Sequence, residues 1–199
     1  MHHVYGDLKS GNCYKVYLAL HQLKQPFKWI DIDVLKKQTR TSEYLSLNPN
    51  GQIPLLITED GASLPESNAI LWYLGEGSAL IPTDRMDRAQ MLRWMFFEQY
   101  THEPNVAVAR FIVRYLGRPA DREETLQQKI KGGYGAISVM EGHLARHDFF
   151  AANRYTLADI ALYAYTHVAH EGLIELDAYP HVRAWLQRVK DQPDHAPME

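Results

Sequence analysis

Residues 48–70 read NPNGQIPLLITEDGASLPESNAI. The opening Asn48-Pro49-Asn50-Gly51 is turn chemistry: Pro fixes φ, and Asn and Gly accept the left-handed region. Leu55-Leu56-Ile57 is an apolar run of strand length. Glu59-Asp60-Gly61 contains the Asp-Gly pair that tight hairpins favour, so Ala62-Ser63-Leu64 is expected to return as the partner strand. Glu66 and Ser67 then precede Ala69, Ile70, Tyr73 and Leu74, an apolar helical face with Ser67 as the predicted cap.

Upstream, His2 to Tyr5 reads as a short strand and Gly6 to Asn12 as a loop. Cys13, Val16, Tyr17, Leu20 and Leu23 recur at helical spacing, so a helix opens at Cys13 with Asn12 as its N-cap and stops at Gln25-Pro26. Phe27 to Val34 alternates and reads as a second strand. Strand, helix and strand make a βαβ unit with parallel strands and a right-handed crossover. With a short helix over Ser42 to Leu47, the order is βαβ-α-ββα.

Downstream the texture changes. Gly75 to Arg85 is a linker rich in Gly, Ser and Pro, and β signals almost vanish after it. Arg85 to about Leu116 reads as one long helix kinked by Pro104. Glu123 to His147 reads as a second. Thr156-Leu157-Ala158-Asp159 resembles a capping box and starts a third, running to Ala169. Pro180 to Gln192 is a fourth, with Pro in its first turn. The expected division is an α/β domain over 1–76, a linker over 77–86 and an all-helical domain over 87–199.

The chain has 199 residues, 46% of them hydrophobic, enough apolar material for two small cores. No apolar run reaches the ~18 residues of a membrane span, so no membrane association is expected. The start, Met1-His2-His3-Val4-Tyr5, lacks the basic-then-apolar pattern of a secretory leader. Cys13 is the one cysteine and has no partner within the chain for a disulfide. Together these point to a reducing cytoplasm. The net charge is −3, from 21 basic and 24 acidic residues scattered along the chain, which is no footprint for nucleic acid.

Three stretches carry a family likeness: Asn48 to Leu56; Leu64-Pro65-Glu66-Ser67-Asn68-Ala69-Ile70; and Tyr155-Thr156-Leu157-Ala158-Asp159-Ile160-Ala161-Leu162. In this order and at these separations, within βαβ-α-ββα followed by helices, the chain resembles the cytosolic glutathione transferases, in their bacterial theta-, zeta- and beta-like forms. Trp94 through Arg110, with Phe97-Glu98-Gln99-Tyr100 and His102-Glu103-Pro104, also resembles the first helical segment of bacterial members. The likeness covers essentially the whole chain. It implies an α/β thioredoxin-like N-terminal domain and an all-α helical bundle. It also implies glutathione as co-substrate, no metal, a small and often hydrophobic electrophile, a role in detoxification, and a homodimer.

The resemblance also assigns residues. In the family the proline matching Pro54 is cis and turns the preceding backbone toward the cysteinyl unit of glutathione, so Ile53 is expected to pair with the ligand like an added strand. Glu66 and Ser67 stand at a helix start, where free N–H groups and the helix dipole favour a carboxylate. A serine hydroxyl adds a donor, and the Glu66 carboxylate suits an α-ammonium. Together they fit the zwitterionic end of a γ-glutamyl group. Gln52 and the stretch Gln38-Thr39-Arg40 are candidates for the remaining polar groups, with Thr39 toward the glycine carboxylate.

The reactive species of such an enzyme is the glutathione thiolate, and a free thiol titrates near pH ~8.5. A hydroxyl or amide aimed at the sulfur from a helix start stabilises it. Ser10 resembles the serine of the theta and zeta groups, and Asn12 offers a side-chain amide. Cys13 resembles the helix-start cysteine of the beta group, which forms a mixed disulfide with glutathione; at a helix N-terminus its pKa should fall. In the alternative alignment Cys13 is a small core residue. A site using only backbone donors is a further alternative, and Tyr5 is the runner-up by resemblance to the tyrosine-type groups, although it falls inside the first strand, a place where a side chain simply packs. The second substrate is expected beside the sulfur, between the domains, near Phe97, Tyr100 and Arg110, with Tyr163 or Tyr165 further on. The same thiolate also suits peroxide reduction or thiol exchange. A non-enzymatic alternative is a protein-interaction module of this fold, but such a module need not keep Gln52-Ile53-Pro54 together with Glu66-Ser67. His143/His147 and His167/His170 have metal-like spacing without a third ligand nearby. Lys131-Gly132-Gly133-Tyr134-Gly135 lacks the strand and the Lys-Ser/Thr of a phosphate loop and suits close helix packing.

Overall fold

The structure is a computed structural model and describes residues 1–198. The chain forms two compact units. The first is Met1–Ser78 joined by the segment from Pro193 onward, and the second is Ala79–Gln192.

In the first unit, β1 (His2–Gly6) pairs in parallel with β2 (Phe27–Asp31), His2 opposite Phe27 and Gly6 opposite Asp31. β3 (Leu55–Ile57) lies antiparallel on the other side of β1, and β4 (Ser63–Pro65) antiparallel to β3. The sheet order is β2-β1-β3-β4. Val4 and Leu56 of the sheet meet Val16 and Leu20 of α1 (Gly11–Gln22) and Ile70 and Leu74 of α3 (Ser67–Gly75) in one buried cluster. Each such aliphatic side chain contributes about 1.5–3 kcal/mol by leaving water, which outweighs the weak intrinsic preference of three-residue strands. α2 (Ser42–Leu47) is capped by Thr41, whose hydroxyl accepts the Tyr44 N–H. The returning C-terminal segment is fastened by the buried Tyr14 hydroxyl, which donates to the Ala196 carbonyl at 2.8 Å, and by Lys24–Asp194 at 3.1 Å.

Several boundaries differ from the sequence expectation by one to three residues, and three of them bear on the site or have a local cause. β2 stops at Asp31, not Val34, because the Asp33 carboxylate takes the N–H groups of Leu35 and Lys36 and turns the chain. α1 begins at Gly11 with Ser10, not Asn12, in the cap position. α3 begins at Ser67 with Glu66 as the cap residue, in a left-handed backbone (φ 72°, ψ 109°) that costs an L residue energy.

In the second unit, the predicted single helix is a continuous helical run with two widened turns. α4 (Arg85–Phe97) starts under Asp84, whose carboxylate accepts the Met86 and Asp87 N–H groups. A π turn over Glu98–His102 leads into α5 (Glu103–Arg110), and the Glu103 N–H reaches back to the Glu98 carbonyl. Pro104 has no N–H and its ring crowds the carbonyl four residues earlier, so the widened turn accommodates it. A second π turn spans Phe111–Tyr115, closed by Leu116 N–H to Phe111 O, with no proline to mark it. α6 (Glu123–Leu144) brings Gly133 against Ile174, where a Cβ would lie 2.5 Å from Ile174 Cδ1. The Gly-rich stretch is therefore a packing device. α7 (Leu157–Thr166) is buried along its whole length. α8 (Pro180–Lys190) has its first N–H groups taken by the Glu141 carboxylate. No helix among the described residues is long and apolar enough to cross a membrane.

Candidate functional site

Of the residues singled out from sequence in the first unit, Ser10, Asn12 and Cys13 stand at the start of α1, Glu66 and Ser67 at the start of α3, Gln52, Ile53 and Pro54 in the turn before β3, and Thr39 in the short helical turn Gln38–Arg40. The Ser67 hydroxyl donates to Asn12 Oδ1 at 3.3 Å, joining helix starts 55 residues apart in sequence. Beneath them lies Lys15, on α1 and 0% exposed, whose Nζ donates to Ser67 Oγ at 3.3 Å. Ser67 itself is 5% exposed, and Glu66 beside it is exposed.

Ser10 is half-buried at the mouth of α1. Its N–H is held by the Asp7 carbonyl at 2.9 Å and its own carbonyl accepts the Tyr14 N–H at 2.8 Å, but its side chain makes no cap hydrogen bond. The hydroxyl instead meets the Cys13 sulfur. Cys13 is the correction here. It is fully buried, and desolvation pushes its thiol up to about 12; the Asp7 backbone and the Ser10 hydroxyl pull the other way and do not compensate. The helix-start depression expected from sequence is absent because the sulfur is fully buried, close against Gly6. A Cβ on Gly6 would stand 2.9 Å from Cys13 Sγ and 2.8 Å from the Trp29 ring.

The Ile53–Pro54 peptide is cis. Ahead of it, the exposed Gln52 offers its carbonyl to two buried side chains, the Tyr44 hydroxyl at 2.7 Å and Asn48 Nδ2 at 2.9 Å. This clamp holds the chain on the N-terminal side of Ile53, whose own N–H and C=O have no backbone partner among the described residues. Desolvation raises the Tyr44 phenol well above its ordinary range, so it stays a donor. Tyr5, the tyrosine alternative, packs edge-on against Tyr44. Thr39, expected toward the ligand, is 4% exposed. Its neighbour Arg40 is exposed and donates to the Asn50 carbonyl at 3.2 Å, so that stretch presents Arg40 rather than Thr39.

The three pocket residues expected on the long helix have three different fates within the second unit. Arg110 is buried and bonded through Nε to Glu171 Oε2 at 2.8 Å, with Arg114 beside the same carboxylate at 3.5 Å. It is a structural ion pair, not an open pocket residue. Phe97 is half-buried, edge-on to Trp94. Tyr100 is 89% exposed. Tyr163 and Tyr165 are buried in α7. Asp159, predicted as a structural cap, accepts from Thr156 N and Oγ, Phe150 N and Trp185 Nε1 at 2.8–3.2 Å. Desolvation nevertheless raises its carboxyl to about 6. Among the described residues, no group of three or more His, Cys, Asp or Glu side chains is arranged to hold a metal ion.

Sequence reading missed Lys15 and Tyr44, and it named Arg40 only within the stretch Gln38-Thr39-Arg40 and Asn48 only as turn chemistry. Tyr44 and Asn48 flank the turn that opens the family stretch, a signal of position only. Lys15 had none, since its burial depends on a partner 52 residues away.

Comparison with known proteins adds the following. Residues 10–76 match the family described as glutathione S-transferase, N-terminal domain, and residues 105–193 match glutathione S-transferase, C-terminal domain. Glutathione S-transferase 3 of Zea mays is 30% identical, over 96% of this chain and 89% of its own length. Maleylacetoacetate isomerase of Rhizobium meliloti is also 30% identical, over 89% and 85%. The crystal structure of a glutathione S-transferase from Pseudomonas fluorescens superposes with a TM-score of 0.97 at 51% identity, over 99% of this chain and 98% of that one.

Proposed function

The chain belongs to the glutathione S-transferase family and is a glutathione transferase, and from that premise we propose that the starts of α1 and α3 bind glutathione and activate its thiol. The observation that carries the reading is the Ser67–Asn12 contact, which brings two helix N-termini together. Their N–H groups and dipoles favour negative charge. Ser67 and the opening N–H groups of α3 take the γ-glutamyl α-carboxylate. Glu66, held with its backbone at φ 72°, takes the α-ammonium; strain of this kind clusters at ligand sites. The Ile53 N–H and C=O pair with the cysteinyl backbone, presented by the Tyr44–Asn48 clamp on Gln52. Arg40 suits the glycine carboxylate.

This arrangement leaves the sulfur at the start of α1. Ser10 spends no side-chain bond on its helix and meets only the weak sulfur acceptor of Cys13. Its hydroxyl donates to the glutathione sulfur, the thiol proton leaves to water, and the thiolate attacks a small electrophile. Cys13, buried and protonated, takes no part. The reading extends to a cytoplasmic detoxifying enzyme and to pairing with a second copy; Phe96, 67% exposed, and Tyr100 stand four apart on the helical run as apolar surface for a partner.

Isothermal calorimetry tests the binding. The wild type is expected to bind glutathione, and Ser67→Ala to bind about tenfold more weakly, the worth of one charge-assisted hydrogen bond. No binding by either protein would overturn the reading.

A further inference from the structure

Lys15 is a fully buried cation on α1 that the family likeness did not bring forward. Its ammonium carries donors and no acceptor. At 3.3 Å from Ser67 Oγ it therefore donates, and the serine oxygen accepts. That fixes the remaining degree of freedom of the hydroxyl. With a lone pair committed inward to Lys15, the Ser67 proton points outward, and it does so here, to Asn12 Oδ1 at 3.3 Å. An acceptor replacing Asn12 Oδ1 receives the same proton. An anionic acceptor also comes within one atom of the Lys15 ammonium, which is fully buried behind the serine.

We propose that Lys15 is a positioning residue that acts through Ser67, setting the hydroxyl as a donor and thereby selecting ligands that carry a carboxylate, over a neutral carboxamide, at the γ-glutamyl α-carbon. The inference rests on the glutathione-binding reading above. It predicts that Lys15 and Ser67 behave as one device. Removing the ammonium lets the hydroxyl rotate and donate inward or sideways, and the carboxylate preference falls even though Ser67 is still present. The dispersed helix dipole of α3 has no such dependence on Lys15. A purely packing role for Lys15 would disturb every ligand alike.

The test is glutathione binding, by calorimetry, to the wild type, Lys15→Met, Lys15→Gln, Lys15→Arg, Ser67→Ala and the Lys15→Met/Ser67→Ala double variant. Each is also titrated with a glutathione whose γ-glutamyl α-carboxylate is replaced by a carboxamide. Lys15→Met is expected to weaken glutathione about tenfold or more and the carboxamide less than about twofold. Lys15→Arg restores most of the loss, and the double variant is no weaker than the worse single one. If Lys15→Met does not fold, Lys15→Gln, which removes the charge and offers the hydroxyl an inward acceptor, gives the same contrast. Equal loss for both ligands, or additive losses in the double variant, would overturn the proposal while leaving glutathione binding intact. Failure of the wild type to bind glutathione would remove the underlying reading and this proposal with it.

Discussion

The starts of α7 and α8 differ from those of α1 and α3 in where their hydrogen bonds go. At α7 the Asp159 carboxylate collects four donors, two from Thr156, one from the Phe150 backbone and one from Trp185. At α8 the Glu141 carboxylate takes the first two free N–H groups. These helix starts are closed from within. At α1 and α3 the cap residues, Ser10 and Glu66, make no side-chain cap bond, and Glu66 holds a strained backbone besides. Buried polar groups in proteins are normally satisfied. The same local chemistry, an oxygen-bearing residue before an apolar helical face, is thus closed by a carboxylate in the second unit and left without a side-chain cap in the first, where we propose that it meets the ligand.

The largest effect should come from breaking a closed start. Asp159→Ala strips the acceptor from four donors, among them the buried Trp185 Nε1, and should lower stability in urea unfolding by roughly 3 kcal/mol or more. A loss under about 1 kcal/mol would show that α7 does not depend on its cap.

The same carboxyl gives a pH signature. Its folded value, about 6, lies above the ordinary carboxylate range because burial disfavours the charge. The folded state therefore holds the proton more tightly than the unfolded chain. This contribution to stability is fully present below about pH 4 and is lost as pH rises through about 6. Its size is roughly 2–3 kcal/mol, at about 1.4 kcal/mol per pKa unit. Stability of the wild type relative to Asp159→Asn should fall across that window; a flat difference between pH 4 and 6 would contradict the burial account.

Smaller still is the effect at Cys13. Its thiol, protonated well past neutral pH, should resist iodoacetamide at pH 8 in the folded protein, and Cys13→Ala should keep turnover within about twofold while losing about 1 kcal/mol of stability. Rapid alkylation of the native protein would return Cys13 to the list of reactive groups.

Much of this contrast was legible in the sequence. Asn48-Pro49-Asn50-Gly51, Asp60-Gly61 and the Thr156–Asp159 spacing are local signals, and the strands, hairpin and capping box formed where they pointed. What was not legible depends on residues distant in the chain. Cys13 sits at a helix start, as read, but is fully buried, close against Gly6. Arg110 faces inward to Glu171, 61 residues on. Lys15 lies off the apolar positions Cys13, Val16, Tyr17 and Leu20 that marked α1, and the residue it contacts, Ser67, is 52 positions on. The starts of α1 and α3 moved by one or two residues because Ser10 and Glu66 took the cap positions without the side-chain bonds that define a cap in sequence. The second π turn has no proline or glycine to announce it.

Ser10 at the start of α1 is the group proposed to stabilise the glutathione thiolate. The direct measurement is the pKa of the thiol of bound glutathione, read from thiolate absorbance in saturated wild type and Ser10→Ala. The account predicts a value well below the ~8.5 of a free thiol in the wild type, a return toward that value in Ser10→Ala with turnover down about a hundredfold, and stability changed by under about 0.5 kcal/mol since no cap bond is lost. A bound thiol that titrates like the free peptide in the wild type, or a depressed pKa that survives in Ser10→Ala, would contradict it.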